Sequence, residues 1–204
     1  LHEHVCRSME LILTIAIPAS LLINLGAEVW IHIAFGAPYA AAATALRVQS
    51  TMFVLTYVAI IYAMTLIMLE RAWTLAWVSV GGLVVNLVLN LVFVRYSVAL
   101  LGEGGGGTGC ASAMLGTEIF VSVCMAVAIG RGAFDRRSMS AVARSLLVYG
   151  VVVVAHILLK PMGPARLAVD ALLYVLLAVV VGALRPKEML QTVREALRRK
   201  TEGA

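Results

Sequence analysis

The chain has 204 residues, of which 62% are apolar and only 13% charged, with a mean hydropathy of +0.97; that balance excludes an ordinary soluble domain and marks a membrane protein. Its net charge of +5 suits anionic lipid headgroups beside a membrane better than nucleic acid. Cys6, Cys110 and Cys124 show no C-x-x-C spacing, and the last two share one predicted helix too far apart to bridge, so neither a disulfide framework nor a zinc site is indicated.

Charge-free runs at 11–27, 48–69, 72–94 and 171–184 lie near the length of about 20 apolar residues that a membrane helix needs. Runs at 108–129 and 145–159 carry one internal ionisable group each, Glu118 and His156. Strict period-two alternation is absent, which argues against a membrane β-barrel. The fold class is therefore all-α, a polytopic membrane helix bundle with six transmembrane helices, at about 9–33, 46–69, 72–94, 108–130, 141–159 and 167–184. The division is residues 1–130 as four transmembrane helices, 131–184 as an additional pair, and 185–204 as a basic amphipathic tail. The chain starts at Leu1, and its first span lacks the basic leader and small-residue cleavage site of a signal peptide, so a truncated chain is expected.

At the start, His2 and His4 flank Glu3 without a further ligand cluster, and no metal site is read there. Pro18 removes a backbone donor in mid-span and predicts a kink at that point. Glu28 and His32 fall near the outer end of the span, and after the turn "FGAPYAAAAT" Arg47 comes to similar depth, where an ion pair with Glu28 is expected. The link at Glu70 and Arg71 is so short that the spans on either side should form a tight antiparallel hairpin.

The 72–94 span contains "GGLVVNLVLNLVFV". Asn86 and Asn90 are four residues apart and so about 40° apart in projection. With Ser79 and Gly82 they make one small or polar stripe. Hydrocarbon offers an amide no hydrogen bond, so the stripe must face other helices, as glue, or a polar cavity. "RYSVALLGEGGGGTG" then reads as a flexible outer linker. Its two overlapping G-x-G-x-x-G matches join membrane helices instead of a strand and a helix, and carry no nucleotide reading.

In the 108–130 span, Gly109, Ala113 and Gly116 form a face for close packing, while Glu118 projects from the opposite side with Ala111, Ser122 and Met125. Glu118 lies about 15 Å deep, level with Asn86. A carboxylate there costs on the order of 2.5 to 3.5 kcal/mol by insertion scales, which makes it a functional candidate, either exchanging a proton or bonded permanently to Asn86 or Ser79. His156, one turn before Lys160, reads as interfacial. No serine, cysteine or aspartate is spaced with a histidine for nucleophilic catalysis.

Basic residues set the orientation. One side collects Arg7, Arg71, Arg131, Arg136, Arg137, Arg144 and the six between Arg185 and Lys200, against Arg47, Arg95, Lys160 and Arg166 on the other. Both termini are thus expected in the cytoplasm. In the tail "RPKEMLQTVREALRRK", Leu190, Val193 and Leu197 recur at helical spacing among the basic residues, as in a helix lying on the inner membrane surface.

The run "ALRVQSTMFVLTYVAIIYAMTLIMLERAWTLAWVSVGGLVVNLVLNLVFVRY", a loop, and "GTGCASAMLGTE" together resemble the C-terminal half of polysaccharide and oligosaccharide flippases of the multidrug/oligosaccharidyl-lipid/polysaccharide export superfamily. The likeness rests on Pro18 in the first helix, "FGAPY" with alanines leading to Leu46 and Arg47, the paired asparagines, and the glycine- and alanine-rich helix ending in Glu118; it covers about 9–130. One departure is the long glycine-rich loop in place of a short regular turn.

The resemblance implies a non-enzymatic transporter of two pseudo-symmetric lobes, with this chain as part of the second lobe. Its cargo would be an undecaprenyl-linked or similar lipid-linked sugar, carried across the bacterial inner membrane by alternating access. Proton or sodium coupling would stand in place of a cofactor, and polysaccharide assembly proteins would be partners. By that likeness Glu118, Asn86, Asn90 and Ser79 are cavity or coupling candidates, and Arg47 is the only cation here of the type that contacts a pyrophosphate. The alternatives are a drug or cation antiporter of the same superfamily and, from another class, a membrane-embedded transferase or a non-catalytic assembly subunit.

Overall fold

The computed structural model describes residues 2–130, 136–159 and 166–180. The predicted tail at 185–204, the connection at 131–135 and Lys160 lie outside them. Seven α-helices follow one another: α1 (His2–Leu25), α2 (Ala27–Phe35), α3 (Ala42–Met68), α4 (Ala72–Leu101), α5 (Gly105–Ile129), α6 (Arg136–Leu158) and α7 (Arg166–Val180). Single 3-10 turns at Ala37–Tyr39 and Gly102–Gly104 complete the described elements. Three helices, α3, α4 and α5, are long and apolar enough to cross a membrane, and four crossings result if α1 and α2 are taken as one bent span. The protein is a helical membrane protein.

The bend in the first span does not sit at the proline. Helix α1 runs through Pro18, and the chain breaks at Gly26, where α1 and α2 meet at 71°. A side chain at Gly26 would come within 2.6 Å of Trp30 Nε1 and 2.9 Å of the Leu22 carbonyl, so glycine is what allows the corner to close.

Helix α5 occupies the middle of the bundle, packed along α3 on one side and α4 on the other. The tight α3/α4 hairpin expected from their short link is not formed, since the two helices touch little. Their turn is closed locally: Glu70 takes φ 58°, its N–H donates to Ile67 O and the Arg71 N–H donates to Leu66 O, the pattern of a Schellman cap. From there α4 turns onto α5 instead, because α5 presents the glycines.

The glycine-rich segment read as a flexible linker is ordered and helical. Helix α4 continues to Leu101, Gly102 ends it at φ 73° with its N–H on Val98 O, and α5 begins within the glycine run. The reason is contact: a Cβ at Gly105 would collide with the Ser97 carbonyl, and one at Gly109 would lie 2.6 Å from Val94 Cα and 2.7 Å from Phe93 O. Further down the seam, Gly116 meets Leu89 and Gly82 meets Val121. At Gly105 and Gly109 backbone meets backbone, and at Gly116 and Gly82 a side chain meets backbone; both are close approaches of the small-residue kind that hold membrane helices together.

Two apolar clusters fix α1, α6 and α7, and a third, of Ala27, Ile31 and Ala43, seats α2 on α3. Met9, Ile61, Tyr62, Leu66, Met125 and Ala126 pack where α1, α3 and α5 converge. Leu13, Ile17 and Leu21 of α1 meet Val148 and Val152 of α6 and Tyr174 and Ala178 of α7. Helix α1 therefore carries the α6–α7 pair on its far side.

Helix α4 also gives the membrane its scale. It spans about 45 Å at 1.5 Å per residue, with Trp73, Trp77 and Tyr96 exposed at 80%, 70% and 64%. Trp77 and Tyr96 are about 28 Å apart along the axis, close to the ~30 Å hydrocarbon core that aromatic belts border. Asn86 falls halfway between them, at the midplane.

The seam yields a stability prediction. Gly109→Ala should destabilise the bundle by about 1–3 kcal/mol through overpacking. Gly107→Ala, whose Cβ would meet only Ala45 at 3.9 Å, should be neutral. Unfolding of the two variants in detergent micelles checks the difference.

Candidate polar sites within the bundle

At the midplane the α4–α5 seam holds a small hydrogen-bonded group. Asn86 Nδ2 donates to Thr117 Oγ1 at 3.0 Å, and the Thr117 hydroxyl donates in turn to Ala113 O at 2.8 Å. Asn90 Nδ2 donates to Asn86 O at 2.9 Å and to Asn86 Oδ1 at 3.0 Å. Both asparagines are half-buried. The amides thus bond to each other and across the helix pair, which is the glue reading of the stripe.

Ser79 does not join them. At that turn the seam passes through Leu75 and Val78, which pack against the cluster containing Tyr62 and Met125. Ser79, one residue and about 100° beyond Val78, is exposed, and its hydroxyl donates to Leu75 O at 2.9 Å.

Glu118 lies next to Thr117 and level with Asn86, yet about 100° further around α5. Ala111, Ser122 and Met125, on its side of the helix, are buried. Glu118 itself is half-buried, and no hydrogen bond or ion pair joins it to another described residue. The bond to Asn86 or Ser79 that its depth suggested is absent: Thr117, which the sequence reading passed over, takes the Asn86 amide. The signal was available, since Thr117 shares a face with Gly109, Ala113 and Gly116 whereas Glu118 does not.

Beyond the Gly26 corner, Arg47 and Glu28 meet as expected, Nη2 to Oε1 at 2.6 Å, with both side chains substantially exposed. Beneath them a polar latch ties α1 to α3. Ser20 donates to Ser50 O at 2.5 Å, and Asn24 Nδ2 donates at 3.0 Å to both Arg47 O and Ser50 Oγ. These bonds satisfy side chains in a segment where lipid would not, and they hold α1 rigid up to the Gly26 corner.

The arrangement least visible in the sequence lies between α6 and α7. His156, read as interfacial, is buried, and its Nδ1 lies 2.5 Å from Oδ2 of Asp170, which is 0% exposed. Asp170 falls inside the predicted 167–184 span, but nothing in its spacing singled it out as the partner of His156, which lies on the neighbouring helix. Among the described residues no group of three or more histidine, cysteine or acidic side chains is placed to hold a metal ion.

A double-mutant cycle separates the pairings. Asn86→Leu and Thr117→Val should couple by about 0.6 kcal/mol, and by no more than about 1.7. Asn86→Leu and Glu118→Gln should add within about 0.5 kcal/mol, as groups without a shared partner do. Unfolding free energies in micelles provide both values. In comparisons with known proteins, the chain matches no family model, no curated protein and no solved structure.

Proposed function

We propose that the chain forms the C-terminal part of a transporter that carries a lipid-linked oligosaccharide across the bacterial inner membrane by alternating access. In this reading α1 with α2, α3, α4 and α5 are four crossings of the second lobe, α6 and α7 the added pair, and both termini are cytoplasmic. The support is the sequence resemblance together with one observation, the state of Glu118. The amides beside it are satisfied within the seam, while the carboxylate stays half-buried near the midplane without a hydrogen bond to any other described residue. A carboxylate at that depth is costly, and transporters place such groups at a midplane site between lobes, where ion and cargo pass.

Within the proposal the two kinds of polar residue have different tasks. Asn86, braced by Asn90 on the same helix, ties α4 to α5 through Thr117, so that the helices move as one body. Glu118 is the coupling group, on the side of α5 away from that seam. Arg47 is engaged by Glu28, and contacts to the sugar pyrophosphate come from other parts of the transporter.

The test is made in the transporter that contains this chain, by measuring surface polysaccharide in cells that depend on it. At matched membrane abundance, Glu118→Gln should lower export by about tenfold, equivalent to ~1.4 kcal/mol on the coupled step. Asn90→Ala should retain most of it. Unchanged polysaccharide in the Glu118→Gln cells would remove the coupling role, and export of a drug or cation in place of the sugar would favour the antiporter reading.

A further inference from the structure

Helix α2 adds little to the crossing that α1 begins. Met9 clusters with Ile61 and Leu66, Ser20 bonds to Ser50 and Asn24 to Arg47, so α1 runs antiparallel to α3. At 71° to α1, the nine residues of α2 advance only about 4 Å along that direction. Helix α2 lies instead across the first turn of α3, with Ala27 and Ile31 seated on Ala43. Helix α3, with 27 residues, is about 40 Å long and so exceeds the ~30 Å hydrocarbon core. A Cβ at Gly104 would stand 2.8 Å from that of Ala41, which sets this end of α3 level with the α4–α5 turn, past Tyr96. That is the headgroup layer. Trp30, Phe35 and Tyr39 are exposed there, the last two with ring centroids 5.9 Å apart, as aromatic side chains are at a membrane surface.

Along α2 runs a cleft of about 650 Å³, lined by Glu28, Val29, His32, Ile33, Gly36 and Ala40. Its size falls within the roughly 300–1,000 Å³ of small-molecule sites. Val29 and Ile33 give it an apolar wall, while Glu28 and His32, one turn apart on α2, give it a polar one. Glu28 also brings Arg47 to the edge of the cleft through their 2.6 Å contact. One such contact does not exhaust either group, because a carboxylate offers about four acceptor sites and a guanidinium five N–H donors. The cleft thus sets a negative acceptor beside a positive donor, next to apolar side chains. A zwitterionic headgroup with a primary ammonium complements both, its N–H groups on the carboxylate and its phosphate on the guanidinium. A quaternary ammonium has no N–H to give. An anionic headgroup would leave Glu28 facing like charge.

We propose that α2 is a surface helix of the membrane and that its cleft holds a phosphatidylethanolamine headgroup, with the ammonium on Glu28 and the phosphate on Arg47. The first crossing is then made by α1 alone. The site stands apart from Glu118 and the α4–α5 seam, and it does not depend on which cargo, if any, the transporter carries.

The experiment uses the full chain in vesicles of phosphatidylethanolamine, phosphatidylcholine and phosphatidylglycerol. For depth, Cys6, Cys110 and Cys124 are replaced by alanine and a nitroxide is placed either at Ala34, exposed on α2 and outside the cleft lining, or at Leu87, exposed on α4 beside the midplane. The ratio of collisions with oxygen to collisions with a nickel chelate should be several-fold lower at Ala34 than at Leu87. For the headgroup, each of the three lipids is added with a spin label on its acyl chain, and the fraction immobilised by the unlabelled protein is measured. Phosphatidylethanolamine should associate about threefold more strongly than either other lipid, a margin within reach of an exposed ion pair. Glu28→Gln should bring it level with phosphatidylcholine, and Glu70→Gln, in the α3–α4 turn, should leave the preference unchanged. A collision ratio at Ala34 as high as at Leu87 overturns the proposal. So does equal association of the three lipids, preference for another headgroup, a preference that survives Glu28→Gln, or one that is lost in Glu70→Gln.

Discussion

Helix α4 reaches the rest of the bundle chiefly through α5, and it does so at glycines. In hydrocarbon there is no solvent-driven gain from apolar contact between helices, so association depends on close van der Waals approach and on polar groups with nowhere else to bond. Gly105, Gly109, Gly116 and Gly82 supply the first, bringing backbone against backbone or side chain against backbone along the seam. Asn86 and Thr117 supply the second at the midplane. Once α4 is held there, α5 has its opposite side free for α3, and α3 in turn meets α1. The order of contacts explains why a link of a few residues between α3 and α4 does not produce a helix pair: the better surface for α4 lies on α5.

The same rule, that polar groups inside a membrane must find partners within the protein, sorts the other sites. Ser20, Asn24 and Ser50 close on α3 carbonyls and on one another, while Arg47 and Glu28, at the exposed end, pair where water also competes for them. His156 and Asp170 satisfy each other only in part, leaving one carboxylate oxygen without a partner among the described residues. Glu118 has none among the described residues. In the proposed transport reading, the gradient from satisfied amides to a carboxylate without a partner among the described residues separates residues that build the bundle from the candidate coupling group.

Much of this was legible in residue order. The apolar runs located α3, α4 and α5, the paired asparagines announced a buried stripe, and Gly109, Ala113 and Gly116 marked the face for close packing. Other features were not, for definable reasons. Proline has a known helix-breaking effect, so Pro18 drew the bend away from Gly26, whose role depends on Trp30 and Leu167 closing around it. A glycine run reads as slack chain unless the partner backbone is known, and Ser97 and Phe93 are that partner. Ser79 shares the projected phase of Asn86 but loses its place to Val78, because the seam drifts around α4. Asp170 lay within the predicted sixth span, but its pairing was not legible, because its partner His156 lies on the neighbouring helix.

The central claim is that α5, and not a direct α3–α4 hairpin, organises the bundle. Oxidative cross-linking in native membranes tests it most directly, in a chain with Cys6, Cys110 and Cys124 replaced by alanine. The account predicts that cysteines introduced at Leu89 and Gly116 form a disulfide readily, since the Gly116 Cβ position is 2.8 Å from Leu89 Cδ1. Cysteines at Phe53 and Leu87, which an antiparallel α3–α4 hairpin would bring face to face, should remain reduced. Efficient closure of the Phe53/Leu87 pair, with the Leu89/Gly116 pair left open, would contradict the account.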